Sequence, residues 1–383
     1  MTPSICFACV CKNEEKCILT ALKSVSSFIS YYVICDTGST DSTIEIITQF
    51  FKEKNIPGEI HNHEWKNFGY NKTLLFDLCH KKADYILHFD ADDYFVGVPE
   101  FEKGMTQYYI NVRKLNVIYP CLMLFDANYH WKFCGVAHTI IKCLDSPIQI
   151  TTGYLTDRDF FMYSTPDTGA RATDPKKYVK DALALKEQFF ETLIDDPDDL
   201  NHRSVFYTAQ SFKDYGSVSD AIKWYSLYTK LSNTWIEERY YSFLQLGVLY
   251  TDFKKREFHL LSAIELIPDR AEAYVVLGTM YNQNKIFEEA YNLLSKARAI
   301  SFTDVQKKYI LFLNERSYSK FVNDELSVAC YWTERYHDGL ELLEAIIDDP
   351  DFELYKKRLL QNKKFFLEKI PKNENIFEVS KYV

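Results

Sequence analysis

Three aspartates follow a short apolar segment directly, at residues 90, 92 and 93. Asp90 and Asp92 are separated by a single alanine, so in an extended chain both side chains point to the same side. Carboxylates this close repel each other, and a divalent cation bound through oxygen ligands is the natural compensation. Taken alone, the stretch also fits a solvated acidic turn or a helix N-cap. Asp90, Asp92 and Asp93 are therefore the first candidates for chemistry in this chain.

Polar residues also follow two earlier apolar segments. Residues 36–43, with the sequence DTGSTDST, lie between an apolar run and a helical pattern, and Thr40 or Asp41 suits the N-cap of that helix. Asp36 then stands at the end of the apolar run, where it can accept a hydrogen bond from a nucleotide base or ribose. The first apolar run ends in Lys-Asn-Glu-Glu at residues 12–15. We therefore expect carboxylates from three segments at one rim.

The elements that position these residues alternate between apolar runs and patterns with helical spacing. In chain order the sequence predicts a strand at 4–11, a helix at 14–27, a strand at 31–35, a helix at 43–54, a strand at 59–63, a helix at 71–81, and strands at 85–89, 116–125 and 131–143. This order favours a parallel sheet with helices on both faces. Ligands of such sheets bind beyond the carboxyl ends of the strands, where the aspartates lie.

The second part of the chain has a different pattern. From about residue 174 the apolar spacing is helical almost throughout, and two similar segments begin at Phe212 and Tyr281, about twice the 34-residue tetratricopeptide period apart. The sequence predicts three helical hairpins over residues 198–301, the middle one degenerate, and a helical cap to the end. We therefore expect an α/β domain at residues 1–173 and an all-α repeat domain at residues 174–383.

Composition limits the classes of protein. Of 383 residues, 47% are hydrophobic and 26% charged, which is typical of a globular chain. The formal net charge of −9 argues against a nucleic-acid partner. No run of 18 apolar residues occurs, so no membrane span is expected, and the N-terminal residues do not resemble a signal peptide.

Ten cysteines are present, three of them at residues 6, 9 and 11 of the first apolar run. A metal cluster is one interpretation of these three. Cys6 and Cys9 point to opposite faces of a strand, however, and no second CxxC follows at zinc spacing. The pattern favours buried free thiols, which predict a cytoplasmic location.

Four motifs together resemble the start of a family 2 glycosyltransferase: CKNEE at residues 11–15, VICDTGSTDST at 33–43, WKNFGYNK at 65–72 and LHFDADD at 87–93. WKFCGVAH at 131–138 and the FGxNK stretch resemble the branch of this family that carries tetratricopeptide repeats. GARATDPKKY at 169–178 resembles its linker, and residues 204–225 resemble the start of its repeats. The resemblance covers about residues 4–300.

This resemblance implies a GT-A-like fold, with a mostly parallel sheet and flanking helices, followed by tetratricopeptide-like helices. It also implies a nucleoside diphosphate sugar as donor, with a UDP-sugar expected, and Mn²⁺ or Mg²⁺ on the diphosphate. Carried over by position, Asp36, Asn13 and Glu15 would contact the uracil or ribose. Lys72 would lie near the base and phosphates, where the family usually has arginine, and so lacks the planar guanidinium fork.

The same resemblance assigns the remaining site residues. Asp90 would contact the ribose or the metal, Asp92 would ligate the metal, and His138 would ligate the metal or bind the diphosphate. Arg171, in a glycine-flanked loop, is a candidate for clamping the diphosphate. Two positions depart from the family pattern: Thr139 stands where Glu is common, and Cys134 stands where Arg is usual. Both departures bear on the acceptor and on activity itself.

The reaction of this family inverts the anomeric centre, which requires a general base to deprotonate the acceptor hydroxyl. Asp157 and Asp159 are the expected catalytic bases, with Asp93 as a third candidate. The acceptor is expected to be a glycan or a protein, and the repeats offer a surface for a protein partner or for self-association. A competing hypothesis is an interaction scaffold with a degenerate transferase domain. A nucleotidyltransferase is a weaker third, because residues 11–16 are not a glycine-rich phosphate loop.

Overall fold

The computed structural model describes residues 2–114, 117–145, 148–155, 159–165 and 168–370. Internal contacts divide the chain into two compact units, Met1–Ala221 and Ile222–Val383. The predicted division after residue 173 lies inside the first unit, where sheet gives way to helix. The domain boundary itself therefore remains a prediction.

The strands and the first helices make up most of the first unit. In chain order they are β1 (Ile5–Cys11), α1 (Ile18–Val25), β2 (Tyr31–Asp36), α2 (Thr43–Lys54), β3 (Gly58–Asn62), α3 (Phe68–Cys79), β4 (Tyr85–His88), β5 (Tyr94–Val96), β6 (Gln107–Lys114), β7 (Val117–Asp126), β8 (Trp131–Cys134), β9 (Ile140–Cys143), β10 (Thr152–Leu155) and β11 (Phe161–Tyr163). The larger sheet has the order β3-β2-β1-β4-β7-β6-β11-β5, with β10 paired to β6, and β8 and β9 form a separate antiparallel pair.

The apolar runs become central strands because helices cover both faces of the sheet. β1 pairs in parallel with β2 and β4, and β2 pairs in parallel with β3. Alternate side chains of β1 pack with α1 and α2 on one face and with α3 on the other. The predicted α/β fold class is confirmed.

Beyond β4 the sheet differs from the predicted one. β7 runs antiparallel to both β4 and β6, so the sheet is mixed. β5, β6, β10 and β11 have no counterpart among the predicted elements. The predicted strand at residues 131–143 is broken into the hairpin of β8 and β9, with an irregular loop at residues 135–139. Gly135 and His138 of this loop adopt positive φ angles, which no regular strand allows.

The cysteines are free thiols, and Cys6, Cys9 and Cys11 are buried in the apolar layers on the two faces of β1. The prediction of buried free thiols is confirmed for these three residues.

Helices form the rest of the described chain, as predicted. They are α4 (Lys177–Thr192), α5 (Asn201–Tyr215), α6 (Val218–Tyr228), α7 (Ile236–Leu249), α8 (Phe253–Leu266), α9 (Glu272–Gln283), α10 (Phe287–Ala299), α11 (Phe302–Gln306), α12 (Phe321–Trp332), α13 (Tyr336–Glu344) and α14 (Lys356–Lys369), with 3₁₀ helices at Ala170–Thr173, Glu315–Tyr318 and Pro350–Tyr355. Within the described residues, no helix has the length and apolar character needed to cross a membrane.

Two helical hairpins of the second unit share the same close crossing. A Cβ atom on Gly247 of α7 would lie 2.5 Å from Cγ of Leu260 on α8, and one on Gly278 of α9 would lie 2.6 Å from Cγ of Leu294 on α10. The side chain of Ala290, a predicted crossing residue, is fully buried on α10. Glycine in the first helix thus lets the second helix approach in both hairpins, which is a repeated structural unit.

Candidate active site

The carboxyl ends of β1, β2 and β4 meet at one edge of the sheet, because these strands are parallel neighbours. Cys11 at the end of β1 pairs with Asp36 at the end of β2. Asp90, Asp92 and Asp93 follow the end of β4 on the other side of β1. The three predicted polar segments are therefore brought to one rim.

Asp36 and Asn13 shape the loop that follows β2. The buried Asp36 carboxylate accepts hydrogen bonds from the Ser39 hydroxyl (2.6 Å) and from the peptide N–H groups of Ser39 (3.1 Å) and Gly38 (3.3 Å). Asn13 Oδ1 accepts from the Thr40 N–H at 2.7 Å, and the Asn13 N–H donates to the Ser39 hydroxyl at 3.0 Å. These two predicted nucleotide-binding side chains thus also order their own loop.

Glu15 ties the same two loops together. Its Oε2 accepts from the Ser42 N–H at 3.1 Å, and its N–H donates to Asp41 Oδ2 at 3.2 Å. Asp41 Oδ1 in turn accepts from the N–H of Thr43, the first residue of α2, at 3.0 Å. Glu15 therefore holds the N-terminus of α2 beside the end of β1.

The aspartates after β4 form a carboxylate cluster with Glu14. Burial, followed by repulsion from Asp90 and Asp92, raises the pKa of Asp93 to about 7. Burial and the Asp90 charge raise the pKa of Asp92, and burial, with a weaker contribution from Asp92, raises that of Glu14. Lys72 Nζ lies 3.5 Å from Asp90 Oδ1 and holds the pKa of Asp90 below its usual value. The cluster has more carboxylates than Lys72 alone can neutralise.

The chain after β11 packs directly on this cluster. The Thr165 N–H donates to Asp93 Oδ1 at 3.2 Å, and the Ala170 N–H donates to Glu14 Oε2 at 3.0 Å. A Cβ atom on Gly169 would lie 2.5 Å from Asp92 Oδ2, so a residue with a side chain would have to displace the Asp92 carboxylate. Glycine at this position allows the backbone to approach the carboxylates closely.

Arg171 lies between the carboxylates and the loop that carries His138. Its guanidinium forms an ion pair with Asp181 and lies 4.8 Å from the ring centroid of Phe68, the first residue of α3. The Arg171 charge helps to lower the pKa of both Asp90 and His138. Arg171 is thus within electrostatic range of both predicted ligands of the diphosphate or metal.

His138 adopts an unusual backbone conformation, with a φ angle of +47°. Its ring stacks on Tyr207 of α5, with ring centroids 4.1 Å apart and planes 17° apart. Desolvation of the ring, with the nearby Arg203 and Arg171 charges, lowers the pKa of His138 to about 4. The imidazole is therefore neutral at pH 7.

Of the two predicted general bases, the structure describes only Asp159. Asp157 lies outside the described residues. Asp159 is exposed before β11, at the end where β11 pairs with Val96, whereas Thr165 continues from the opposite end toward Asp93. The six residue steps from Asp159 to Thr165 run along β11 and can span up to about 20 Å, at about 3.3 Å per residue, and Asp159 lies at the end away from the cluster. The structure therefore does not bring Asp159 to the carboxylates, and it does bring Asp93 there.

The predicted metal site consists of two carboxylates and not of a complete protein cage. In the part of the chain that the structure describes, no group of three or more His, Cys, Asp or Glu side chains could hold a metal ion. Asp90 and Asp92 lie together, and His138 does not join them as a third ligand. Mg²⁺ commonly uses one or two carboxylates plus substrate phosphates and water, so this donor set fits such an ion. The raised pKa of Asp92 is consistent with a site that a cation would stabilise.

Several residues of the site have no signal in the sequence. Thr165 and Gly169 reach the carboxylates only through the fold. Arg203 and Tyr207 reach His138, and not the carboxylates, from α5. In the sequence Tyr207 fits the apolar spacing of a hairpin core and cannot be distinguished from it. Glu14 does have a signal in the sequence, because it lies in the CKNEE motif between Asn13 and Glu15, which are both predicted site residues.

A sheet with carboxylates at the ends of its parallel strands and a basic side chain beside them defines an α/β protein with a charged candidate site at one edge of its sheet. Residues 6–101 match the family model for glycosyl transferase family 2. The match confirms the family and the enzyme class, a glycosyltransferase, predicted for the N-terminal part of the chain. A search of curated proteins found no match.

Solved structures similar to this chain are distant in sequence. TarS 1–349 from S. aureus in complex with UDP is 15% identical, with 80% of this chain and 92% of that chain covered and a TM-score of 0.30. The mannosyltransferase PcManGT from Pyrobaculum calidifontis, in complex with GDP-Man and Mn²⁺, is 12% identical, covers 72% and 87%, and has a TM-score of 0.36. A tetratricopeptide repeat protein from Parabacteroides merdae is 14% identical, covers 50% and 68%, and has a TM-score of 0.37. At these scores the similarities carry no argument about ligands.

Proposed function

We propose that the protein transfers a sugar from a nucleoside diphosphate sugar, with UDP as the expected nucleotide, to a hydroxyl group of a glycan or protein, with inversion and with the help of Mn²⁺ or Mg²⁺. The observation that carries this proposal is the carboxylate cluster at the strand ends, which Lys72 alone does not neutralise. A cluster of this kind is stabilised by a bound divalent cation, and the cation can at the same time bind the diphosphate of the donor.

Asp90 and Asp92 would hold the metal, whose charge would neutralise the departing diphosphate. Lys72 and Arg171 bind the same diphosphate oxygens from the protein side. Lys72 acts there as a compact point charge, whereas Arg171 offers a planar fork with two parallel N–H groups. The pairing of Arg171 with Asp181 fixes the direction of that fork.

The nucleoside is proposed to lie on the loops after β1 and β2. Asp36, Asn13 and Glu15 already bond to the peptide groups of these loops, so their first effect is to preform the surface. Asp36 is buried at the end of β2, and its carboxylate can accept a further hydrogen bond from a ribose or base. A preformed loop binds a ligand with a smaller loss of conformational entropy.

We propose Asp93 as the general base among the described residues. Its position in the cluster and the hydrogen bond from the Thr165 N–H support this role over Asp159. Asp157 remains a second proposal. For the helical repeats we propose contact with a protein partner or a second copy, and we propose a cytoplasmic location on the basis of the free thiols.

The test is hydrolysis or transfer from a panel of nucleotide sugars, with MnCl₂ or with EDTA. We expect turnover of at least one UDP-sugar, dependent on the metal and reduced by about 10²–10³ in Asp92→Asn. Asp195→Asn, which changes an exposed aspartate of the first unit, is the matched control and should behave as the wild type. Absence of nucleotide binding and turnover under all conditions would favour the interaction-scaffold hypothesis, which the departures at Cys134 and Thr139 suggest.

A further inference from the structure

The loop at residues 135–139 is held from two sides. On one side the N–H groups of Phe68 and Gly69 donate to the carbonyls of Val136 (3.2 Å) and Gly135 (3.1 Å). On the other side the Val136 N–H donates to Oε1 of Gln188, on α4, at 2.7 Å. The peptide unit between Gly135 and Val136 is therefore held at both ends, by the backbone of α3 and by a side chain of α4.

Gln188 is buried, and its amide is oriented by a second helix. Its Nε2 donates to the Ser204 hydroxyl on α5 at 2.7 Å, and that hydroxyl donates to the Leu200 carbonyl at 2.7 Å. The reverse amide orientation would place an NH₂ group against the Val136 N–H, so the network allows one orientation only. A buried chain of satisfied hydrogen bonds thus connects the loop with α4 and α5.

α5 also holds His138 itself. Arg203 Nε donates to the His138 carbonyl at 2.7 Å, and the Arg203 guanidinium lies 4.6 Å from the Tyr207 ring centroid. Tyr207 stacks on the His138 ring. A non-glycine residue with a positive φ angle persists only where its surroundings enforce it, and here the enforcing contacts come from α5.

We propose that Gln188, Arg203 and Tyr207 are positioning residues of the transferase site, which keep the His138 loop in place beside Arg171. This inference rests on the proposed function, because it assumes that His138 serves the donor. It assigns α4 and α5, which lie beyond residue 173, to the catalytic machinery. These two helices then differ in role from the hairpins of the second unit.

Turnover of the donor tests the proposal in the full-length protein. Tyr207→Leu removes the stacking surface, and we expect kcat to fall by about tenfold to a hundredfold while the donor KM changes by less than about threefold. Tyr207→Phe keeps the ring and should retain at least about half of the wild-type kcat. Tyr215→Leu, the same change at an exposed tyrosine of the same helix, is the matched control. Wild-type kcat in Tyr207→Leu would overturn the proposal.

Arg203→Met gives a second test if Tyr207→Leu does not fold, because Arg203 is only partly buried. It removes the hydrogen bond to the His138 carbonyl and leaves the Tyr207 ring in place. We expect kcat to fall by about tenfold with an unchanged melting temperature. A parallel loss of melting temperature and activity would instead indicate a purely structural residue and would overturn the assignment.

Amide hydrogen exchange separates this inference from the proposed function. In Gln188→Leu the Val136 N–H loses its acceptor, and we expect its exchange to become at least about tenfold faster, whereas Gln188→Glu keeps an acceptor oxygen and should restore protection. Unchanged exchange in Gln188→Leu would overturn the positioning role whatever the enzyme's substrate. Faster exchange in a protein whose wild type turns over no nucleotide sugar would support the positioning of the loop and would overturn the proposed function.

Discussion

Each unit of the molecule contains a group of carboxylates packed against a basic side chain, and the two groups are compensated differently. In the first unit the transferase cluster consists of Glu14, Asp90, Asp92, Asp93 and Lys72. In the second unit the Arg270 cluster consists of Arg270, Glu237, Glu272, Tyr240 and Tyr318. The two clusters share their chemistry, so the comparison isolates what distinguishes a structural group of charges from a functional one.

The Arg270 cluster is satisfied within the protein. Arg270 is fully buried and donates to both carboxylate oxygens of Glu272, at 2.9 and 3.2 Å, with Glu237 3.7 Å away. Glu272 also accepts from the hydroxyls of Tyr318 (2.7 Å) and Tyr240 (3.2 Å). Glu237 accepts from the backbone N–H groups of residues 310 and 311. The cluster fastens the loop after α11 and needs no ligand.

The transferase cluster is satisfied only in part. Lys72 meets Asp90, whose side chain is 63% exposed, while Asp92, Asp93 and Glu14 have raised pKa values. A raised carboxylate pKa means that the folded protein opposes the charge. The comparison shows that incomplete compensation, and not the presence of buried charge, is the property that marks a candidate ligand site.

The largest expected effect is on the Arg270 cluster. Arg270→Met leaves Glu237 and Glu272 buried without their cation, and we expect the free energy of unfolding of the second unit to fall by about 3–5 kcal/mol. Denaturant titration followed by intrinsic fluorescence measures this change. Lys307→Met, which breaks an exposed ion pair with Asp304, should change it by less than about 0.5 kcal/mol. A loss as small as that for Arg270→Met would mean that the cluster is not structural.

Asp92→Asn should lower the activity of the protein without lowering its stability. We expect donor turnover to fall by about 10²–10³, since a group that serves developing charge is lost. The free energy of unfolding should not fall, because removing one carboxylate reduces the repulsion in the cluster. Both quantities are measured on the same preparation. A destabilised Asp92→Asn protein would indicate that Asp92, like Glu272, belongs to a structural network.

The raised pKa of Asp93 predicts that the stability of the first unit depends on pH when no metal is bound. Its folded pKa of about 7 lies above the ordinary value, so its contribution to stability is full below the unfolded pKa and is lost as the pH rises through 7. In EDTA we therefore expect the free energy of unfolding to be about 2 kcal/mol higher at pH 5.5 than at pH 8. The difference should be smaller in Asp93→Asn. An equal pH dependence in both proteins would assign it to other groups.

The transferase cluster can be recognised from the sequence, whereas the Arg270 cluster cannot, and the reason is physical. Asp90 and Asp92 are contiguous with an apolar run, and parallel strands bring such ends together, so their spacing is informative. Glu237 and Glu272 lie in helices, where charged residues usually face solvent, and only tertiary packing shows that Arg270 buries them. Local pattern therefore reveals sites at strand ends better than sites between helices.

The same limit applies within the transferase site. The α/β class, the first four strands and the rim of polar residues follow from periodicity. The mixed part of the sheet does not, because β5, β10 and β11 are only three or four residues long and have no distinct period. The loop at His138 was predicted to continue a strand, since a positive φ angle at histidine has no sequence signature. Tyr207 and Arg203 reach it from a distant part of the chain.

The smallest expected effect is that of Thr139→Glu, which restores the residue common in the family. Thr139 follows His138 and precedes β9, outside the carboxylate cluster and its hydrogen-bonded neighbours. We therefore expect donor hydrolysis without acceptor to stay within about twofold of the wild type, because no group that contacts the diphosphate changes. Any difference should fall on transfer to an acceptor, measured as the ratio of transfer to hydrolysis. A tenfold loss of hydrolysis would instead place residue 139 in the donor site beside His138.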